Sequence, residues 1–537
     1  MVDEELPGGS AARHSDVSRM CPEKVRKAKA DELDKLISFG AFRAAPRREA
    51  EAELKQRGGR RISTRWEIGD TGGVVKARFV CREFATTPSY EFFAPTTSSA
   101  TLRVIDVYAL EERLPRFVFD ASAAFLHVPE REFVVCDPPA EWKEQRAKAG
   151  HDSDELWIML RTLYGRRPAA QAWTEWLASD LCGRCGLERD VGVPTFFRWP
   201  GRSLRLEVHM DDGHGCGKEA DIAEFLETLG GNVLVKTAGP FAAGSSYSFL
   251  GRERAVLEDA VVIRPARKHT DGILKELGLE SAKGVQTPAV AETTPEPEDV
   301  APLGAEDHAR YRRCVGLALY LAPDRPDVVY VVKELSRHVS APLVVHMAML
   351  RRLARYLAAT VDYGTVLRRS GVRELSVTTD ANWAGCKRTR KSTTCYCVHV
   401  GGSVVAFGSR TQTTLAMSSG EAEYYGAVTG AAEALFLRGV LAFLGWAAAP
   451  VRVLGDSSAA IGVACRLGAG RLRTIDLRTL WLQQKTASGD IKMEKVPGQK
   501  NVADLGTKIL AGPRLRMLSR LAGLCVCLRG RMPESIA

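Results

Sequence analysis

Apolar and polar positions begin to alternate at Arg61, and the pattern divides the chain. Leu204, Leu206, Val208 and Met210 fall on one face, and Ser203, Arg205, Glu207 and His209 on the other, which is the period-two signature of a strand. That strand runs into Asp211-Asp212-Gly213, a hairpin-turn signal. Phe117 and Phe119 alternate in the same way on a strand that Asp120 ends against a run of small residues. Over 310–360 the period changes: YRRCVGLALYLA and MAMLRRLARYLAAT place apolar residues at i, i+3 and i+4 and predict helices. From 374 to about 510 strands return, then helices, then strands. Residues 1–60, rich in charge, Ala and Gly, predict a mostly exposed, partly disordered lead-in with one helix near 22–38. Residues 284–309, rich in Pro, Thr and Glu, read as a linker or long surface loop, and 516–537 as a basic, frayed tail. No repeat of fixed period is visible.

Composition narrows the class. At roughly 100–200 residues per domain, a chain of 537 residues holds several domains. Apolar residues at 45% and charged residues at 26% exclude a wholly disordered or fibrous chain. A net charge of +10 is compatible with a polyanionic partner. The first twenty residues are acidic and polar, so the 13 cysteines predict reduced thiols in the cytoplasm or nucleus. The most apolar stretch, about 427–450, is interrupted by Glu433 and Arg438, which argues against a membrane span. The lone pair Cys182 and Cys185 lacks a suitably spaced second pair, so a zinc site is disfavoured. No Gly-rich phosphate loop stands between a strand and a helix.

Two groups of acids carry the candidate chemistry. Asp120 and the Asp211-Asp212 pair sit at strand ends, where carboxylates are costly to bury unless they are paired or hold a cation. Taken alone, Asp211-Asp212-Gly213 reads as a surface turn with two solvated acids. Further on, SVTTDANWAG ends a strand in Asp380, and Glu423 is placed in the first turn of a long amphipathic helix. VRVLGDSSAAIG ends a strand in Asp456, and VPGQKNVADLGTK puts Asp504 at the start of a last helix. Stabilisation of a helix N-terminus accounts for Glu423 or Asp504 singly but not for four acids in this order. Glu421 is read as a solvated neighbour of Glu423. Oxygen-only ligand sets of this kind suit Mg²⁺ or Mn²⁺, and a pair of such ions promotes phosphoryl transfer.

The ordered strings KARFVCREF (76–84), FDASAAFLH (119–127), LYGRRPAAQAW (163–173), VHMDDG (208–213) and FLGRE (249–253) resemble the reverse transcriptase of copia-type LTR retrotransposons. YRRCVGLALYLAPDRPDVVYVVKELSRHVSAP (311–342) resembles the segment that follows the polymerase, and the four later acids resemble the ribonuclease H domain. The similarity covers roughly 61–510.

The resemblance implies a multidomain α+β and α/β chain: a right-hand polymerase, then a mixed five-stranded ribonuclease H-like sheet flanked by helices. Fingers and palm would span 61–270, linker, thumb and connecting helices 271–370, and the ribonuclease H-like domain 371–515. Asp120, Asp211 and Asp212 would bind the polymerase metals, and Asp380, Glu423, Asp456 and Asp504 the nuclease metals, two Mg²⁺ or Mn²⁺ ions per site. Lys76 and Arg78 would hold the triphosphate, and Phe125 would be the steric gate against a 2′-hydroxyl, although the residues alone favour an ordinary core aromatic at Phe125. Phe249, Leu250 and Gly251 would form the primer grip. The partners implied are an RNA template, a DNA primer, an RNA–DNA hybrid and deoxynucleoside triphosphates. A homodimer or other polyprotein products are also compatible, with a cytoplasmic, particle-associated and nuclear location and no membrane partner.

Three positions depart from the family pattern. Pro168 replaces a usual Gln, with Gln171 as the candidate substitute; Ser457 replaces Asn; and Thr474 replaces a His. These keep open the alternative of a decayed or domesticated copy that binds nucleic acid without efficient catalysis. A chain active only as a nuclease is a third reading. Retention of all seven acids favours the bifunctional enzyme.

Overall fold

The computed structural model describes residues 20–84, 92–151, 154–290, 300–447, 449–468, 470 and 474–526. The chain forms two compact units, Met1–Thr97 with Phe117–Gly239, and Ser98–Arg116 with Pro240–Ala537.

The first unit is built on a six-stranded sheet in the order Val235–Phe241, Arg116–Ala121, Asp212–Cys216, Arg205–His209, Phe196–Arg198, Glu188–Arg189. Arg205–His209 and Asp212–Cys216 form the expected antiparallel hairpin, with His209 opposite Asp212. Two helices cover the sheet. Ala169–Gly183 buries Trp173, Leu177 and Leu181 at four-residue spacing, and Glu219–Gly230 buries Ile222, Phe225 and Leu229. Glu219 and Asp221 suit the first turn of the latter, where acids meet the positive dipole end. Phe117, Phe119, Leu204 and Leu206 complete this core.

The expected lead-in over 1–60 is folded from Met20 onward. The helix stands at Pro22–Ser38, but Phe42–Pro46 then pairs with Glu155–Met159, and Arg60–Ile62 closes the same four-stranded sheet. The charge of this segment concealed its few apolar anchors, Leu33, Leu36, Ala41, Ala45 and Ala50, all buried. Beside it lies the hairpin Thr64–Thr71 and Val74–Cys81, on which Ala77, Phe79 and Cys81 are buried and Lys76 and Arg78 are exposed.

In the second unit an antiparallel sheet runs in the order Ser246–Phe249, Arg252–Val256, Ala260–Pro265, Tyr363–Arg368, Leu524–Val526. The tail expected to fray is therefore ordered through Val526: Gly512–Leu521 is a helix, and the strand after it pairs with Tyr363–Arg368. Helices Arg267–Leu277, Ala305–Leu321, Val329–Ser336 and Val344–Ala359 share a core that includes Tyr311, Val315, Leu335, Leu350 and Leu353. The expected linker 284–309 lies partly outside the described residues.

A third element of this unit is local in space but not in sequence. Helix Ser99–Glu111 buries Arg103 against Asp324 at 2.9 Å and Asp106 against Arg254 at 3.0 Å. Removing one partner of such a pair would leave an uncompensated buried charge.

The carboxy-terminal sheet has five strands in the order Ser403–Thr411, Thr393–Val400, Leu375–Asn382, Val451–Gly455, Ile491–Lys495. The first three are antiparallel, and the last two join parallel. Helix Ser419–Leu444 is long and apolar enough to cross a membrane by length and composition alone. It buries Tyr424, Ala431, Ala434 and Leu437, while Glu433 pairs with Arg410 at 2.8 Å and Arg438 with Asp490 at 3.0 Å.

Candidate active sites

The first site lies at one end of the six-stranded sheet. Ala121 N–H donates to the Asp211 carbonyl at 2.7 Å, tying the end of the Asp120 strand to the hairpin turn. Met210 in that turn has a left-handed φ of +56°. A non-glycine residue there costs roughly 1 kcal/mol and persists where its surroundings hold it. Here the indole N–H of Trp173 donates to the Met210 carbonyl at 2.8 Å. Gly213 follows because a Cβ at that position would come within 2.2 Å of the Phe119 ring.

Burial raises the Asp120 pKa, the charge of Asp211 raises it further, and Lys236 and Lys76 oppose the shift. Asp212 is pushed up to about 7 by burial, then by Asp211 and Asp120. Burial is the first cause of both shifts and the nearby carboxylates the second.

Phe125 sits in the one-turn helix Ala124–His127, its ring 5.0 Å from that of Tyr164. The Arg78 guanidinium lies 5.4 Å from the Tyr164 ring centre. Gln171 is engaged elsewhere: its carbonyl accepts from Phe93 N–H at 3.3 Å and its amide donates to Glu175 at 2.8 Å. Pro168 caps the helix start and its carbonyl accepts from Ala172 N–H at 2.8 Å, so no helix hydrogen bond is lost there.

In the second unit, Phe249, Leu250 and Gly251 lie at a two-residue turn. Phe249 pairs with Arg252, and Leu250 and Gly251 have φ of +47° and +69°. Positive φ at both central positions matches the right-handed twist of the flanking strands. The Tyr320 hydroxyl donates to the Leu250 carbonyl at 2.7 Å.

The tightest acid cluster is also in this unit. Ligand oxygens of Asp380, Glu423 and Asp456 all lie within 4.8 Å of one another, the one such group of three among the described residues. Asp380 is on strand Leu375–Asn382, Asp456 just follows Val451–Gly455, and Glu423 is in the second turn of helix Ser419–Leu444. Asp120, Asp211 and Asp212 are not gathered so closely.

Asp504 stands beside the cluster with its charge already matched. It pairs with Lys508 at 2.6 Å and Arg514 at 3.0 Å, and Lys508 also lies 3.8 Å from Asp380. The Thr507 hydroxyl donates to Asp380. Asp504 belongs to the short turn Val502–Gly506 and not, as expected, to the start of the last helix, because Pro513 begins that helix later.

Two further expectations need correction. Glu421, read as solvated, is 1% exposed. It accepts from Met417 N–H at 3.0 Å, Tyr425 at 2.9 Å and Thr474 at 3.2 Å, and Ser418 caps its own N–H at 3.2 Å. Glu421 is thus the first-turn acid, and Glu423, two residues on and about half a turn round the helix, faces the cluster. Ser457, where the family usually has Asn, caps the helix Ser458–Ala464 through Ala460 N–H at 3.3 Å, a role both residues fill.

Burial, then Asp380 and Asp456, push Glu423 up to about 8, and burial pushes Asp380 up to about 6 against the pull of Lys508 and Thr507. The folded state therefore binds protons more tightly than the unfolded chain, whose carboxyls titrate near about 4. Stability then falls as pH rises from about 4 toward 8. In chelator, the protein is expected to melt at a lower temperature at pH 8 than at pH 5.5. Adding Mg²⁺ at pH 8 should recover the difference, since an ion that binds only the folded state stabilises it. Melting curves unmoved by Mg²⁺ at pH 8 would count against a cation site.

No protein-family model matches the chain. Over 457 residues it is 26% identical to the Retrovirus-related Pol polyprotein from transposon RE2 of Arabidopsis thaliana, covering 84% of this chain and 30% of that protein. Over 528 residues it is 25% identical to the Pol polyprotein from transposon TNT 1-94 of Nicotiana tabacum, covering 94% of this chain and 38% of that one. A solved structure of the foamy viral protease-reverse transcriptase in complex with dsDNA is similar over 92% of this chain and 86% of that chain, with 14% identity and a TM-score of 0.48.

The fold and its sites define a mixed α/β, multidomain protein in which Asp380, Glu423 and Asp456, from two strands and a helix, are gathered at one place. Over most of its length the chain is similar to the retrovirus-related Pol polyproteins of the transposons RE2, RE1 and TNT 1-94. It spans about a third of the length of the curated relatives it matches.

Proposed function

We propose that this chain is an RNA-directed DNA polymerase that also cleaves the RNA strand of RNA–DNA hybrids. The observation that carries the reading is the presence of two separate groups of acids in one chain: Asp120, Asp211 and Asp212, and Asp380, Glu423 and Asp456 with Asp504 beside them. Both donor sets consist only of carboxylate oxygens, and burial, then neighbouring carboxylates, raises Asp212 in one and Glu423 in the other, so the sets fit hard divalent cations. Bound there, two Mg²⁺ or Mn²⁺ ions would neutralise phosphate charge and favour an attacking oxygen.

The remaining work falls to the chain's own residues. Lys76 and Arg78, exposed on one strand face, bind the triphosphate of an incoming deoxynucleotide. Phe125 excludes a 2′-hydroxyl, the group that separates ribose from deoxyribose. Trp173 holds the strained turn that presents Asp211. The Phe249–Gly251 turn steadies the primer. At the nuclease site, the exposed Lys387, Arg388 and Arg390 follow the Asp380 strand and contact the phosphate backbone of the hybrid, so binding weakens with salt. Fingers and palm occupy 61–270, thumb and connecting helices 271–370, and the nuclease 371–515. The RNA template, DNA primer and hybrid are the partners, in cytoplasmic particles and in the nucleus.

A second reading has its own support. Pro168 stands where the family usually has Gln, and Gln171 is already bonded to Phe93 and Glu175, so neither supplies a free amide for a nucleotide. This favours a copy that binds nucleic acid and polymerises poorly.

Extension of a DNA primer on an RNA template with Mg²⁺ or Mn²⁺, run beside cleavage of a labelled hybrid, tests the proposal. Both products are expected. Binding of the hybrid with neither product would favour the second reading.

A further inference from the structure

Phe125 does not stand alone. Ala123, with a φ of +55°, turns the chain left-handed just before the short helix that carries it. The ring of Phe125 then meets Tyr164, with centroids 5.0 Å apart and planes at 59°.

Tyr164 is fixed by its backbone. Its carbonyl accepts from Cys81 N–H at 2.7 Å, at the end of strand Val74–Cys81. The next residue, Gly165, has a φ of +82°, and a Cβ there would come within 2.1 Å of the Cys81 carbonyl oxygen. One residue further, the buried Arg166 is bound to Glu83 at 2.7 Å and to Glu130 and Glu132 at 3.1 Å each. The segment cannot move without breaking a buried charge network, which is strongly disfavoured. On the strand side, the Arg78 guanidinium lies 5.4 Å from the same tyrosine ring. Tyr164 is thus a wall that neighbours both the expected gate and an expected triphosphate-binding cation.

A gate rejects a 2′-hydroxyl only if its own ring cannot swing aside. An aromatic side chain has two free torsions, so its position depends on what is packed against it. We propose that Tyr164 is a specificity-determining positioning residue: by backing Phe125 it sets how strongly the polymerase site excludes ribonucleotides. This rests on the polymerase reading of the first site. A tyrosine that merely filled space would affect both sugars alike, lowering stability or overall rate and leaving their ratio unchanged.

The test is single-nucleotide primer extension by the full chain, comparing kcat/KM for dATP and ATP opposite a template uridine. Phe125→Ala should lose most of the preference for dATP. Tyr164→Ala should lower the dATP/ATP ratio by about tenfold or more, whereas Tyr164→Phe, which keeps the ring, should stay within about twofold of wild type. Tyr164→Leu, which keeps much of the volume without a flat wall, provides the same readout if the alanine variant folds poorly, and should also lower the ratio. A ratio unchanged in Tyr164→Ala or Tyr164→Leu while Phe125→Ala loses it would overturn the proposal and leave the polymerase reading intact. Absence of any wild-type extension would instead overturn that reading and the proposal with it.

Discussion

Asp211→Asn is expected to reduce primer extension by about a thousandfold or more while leaving hybrid cleavage near the wild-type rate. The substitution preserves shape. The bond from Ala121 N–H to residue 211 is made to its backbone carbonyl, and the Trp173 bond is made to Met210, so neither depends on the carboxylate. What is lost is one negative charge beside Asp120 and Asp212, both of which feel it. Extension rates on an RNA template, with circular dichroism to confirm folding, check the expectation. An Asp211→Asn protein that extended primers normally would remove the hairpin acids from the chemistry.

Asp456→Asn should do the reverse, reducing cleavage of a labelled RNA–DNA hybrid by a comparable factor and sparing extension. Asp456 follows strand Val451–Gly455 directly and precedes the Ser457 cap, so an isosteric amide leaves the strand and the cap in place. Its charge raises both Asp380 and Glu423, so the variant should also bring those pKa values down and lessen the fall in stability with pH. Loss of both activities in either variant would argue against two independent sites.

Much of this arrangement was legible in the residues. Alternation that stops at an acid marks a strand end, and the structure puts Asp120 one residue before the end of Arg116–Ala121 and Asp456 just after Val451–Gly455, whereas the strand expected to end at Asp380 continues to Asn382. Spacing also distinguished the helices of 310–360. The misreading of Glu421 had a visible remedy: Ser418-Ser419-Gly420-Glu421 has the spacing of a capping box, which assigns Glu421 to the first turn. Other features depended on contacts that no local pattern encodes. Helix Ser99–Glu111 is buried on every side from Thr101 to Leu110, but nothing in its sequence shows that its charged partners are Asp324 and Arg254, more than a hundred residues away. The engagement of Gln171 with Phe93 likewise comes from tertiary packing. Lys508, four residues after Asp504, has no signature in the sequence as a partner of the cluster, because only the fold brings Asp380 beside it.

The central claim is that two separate groups of carboxylates in this chain each hold divalent ions. Crystals of the full chain soaked in Mn²⁺, measured at the manganese absorption edge, address it directly. Anomalous peaks are predicted among Asp380, Glu423 and Asp456 and beside Asp120 and Asp211, the first lost in Asp456→Asn and the second in Asp211→Asn. Well-ordered crystals with no manganese at either group would contradict the account.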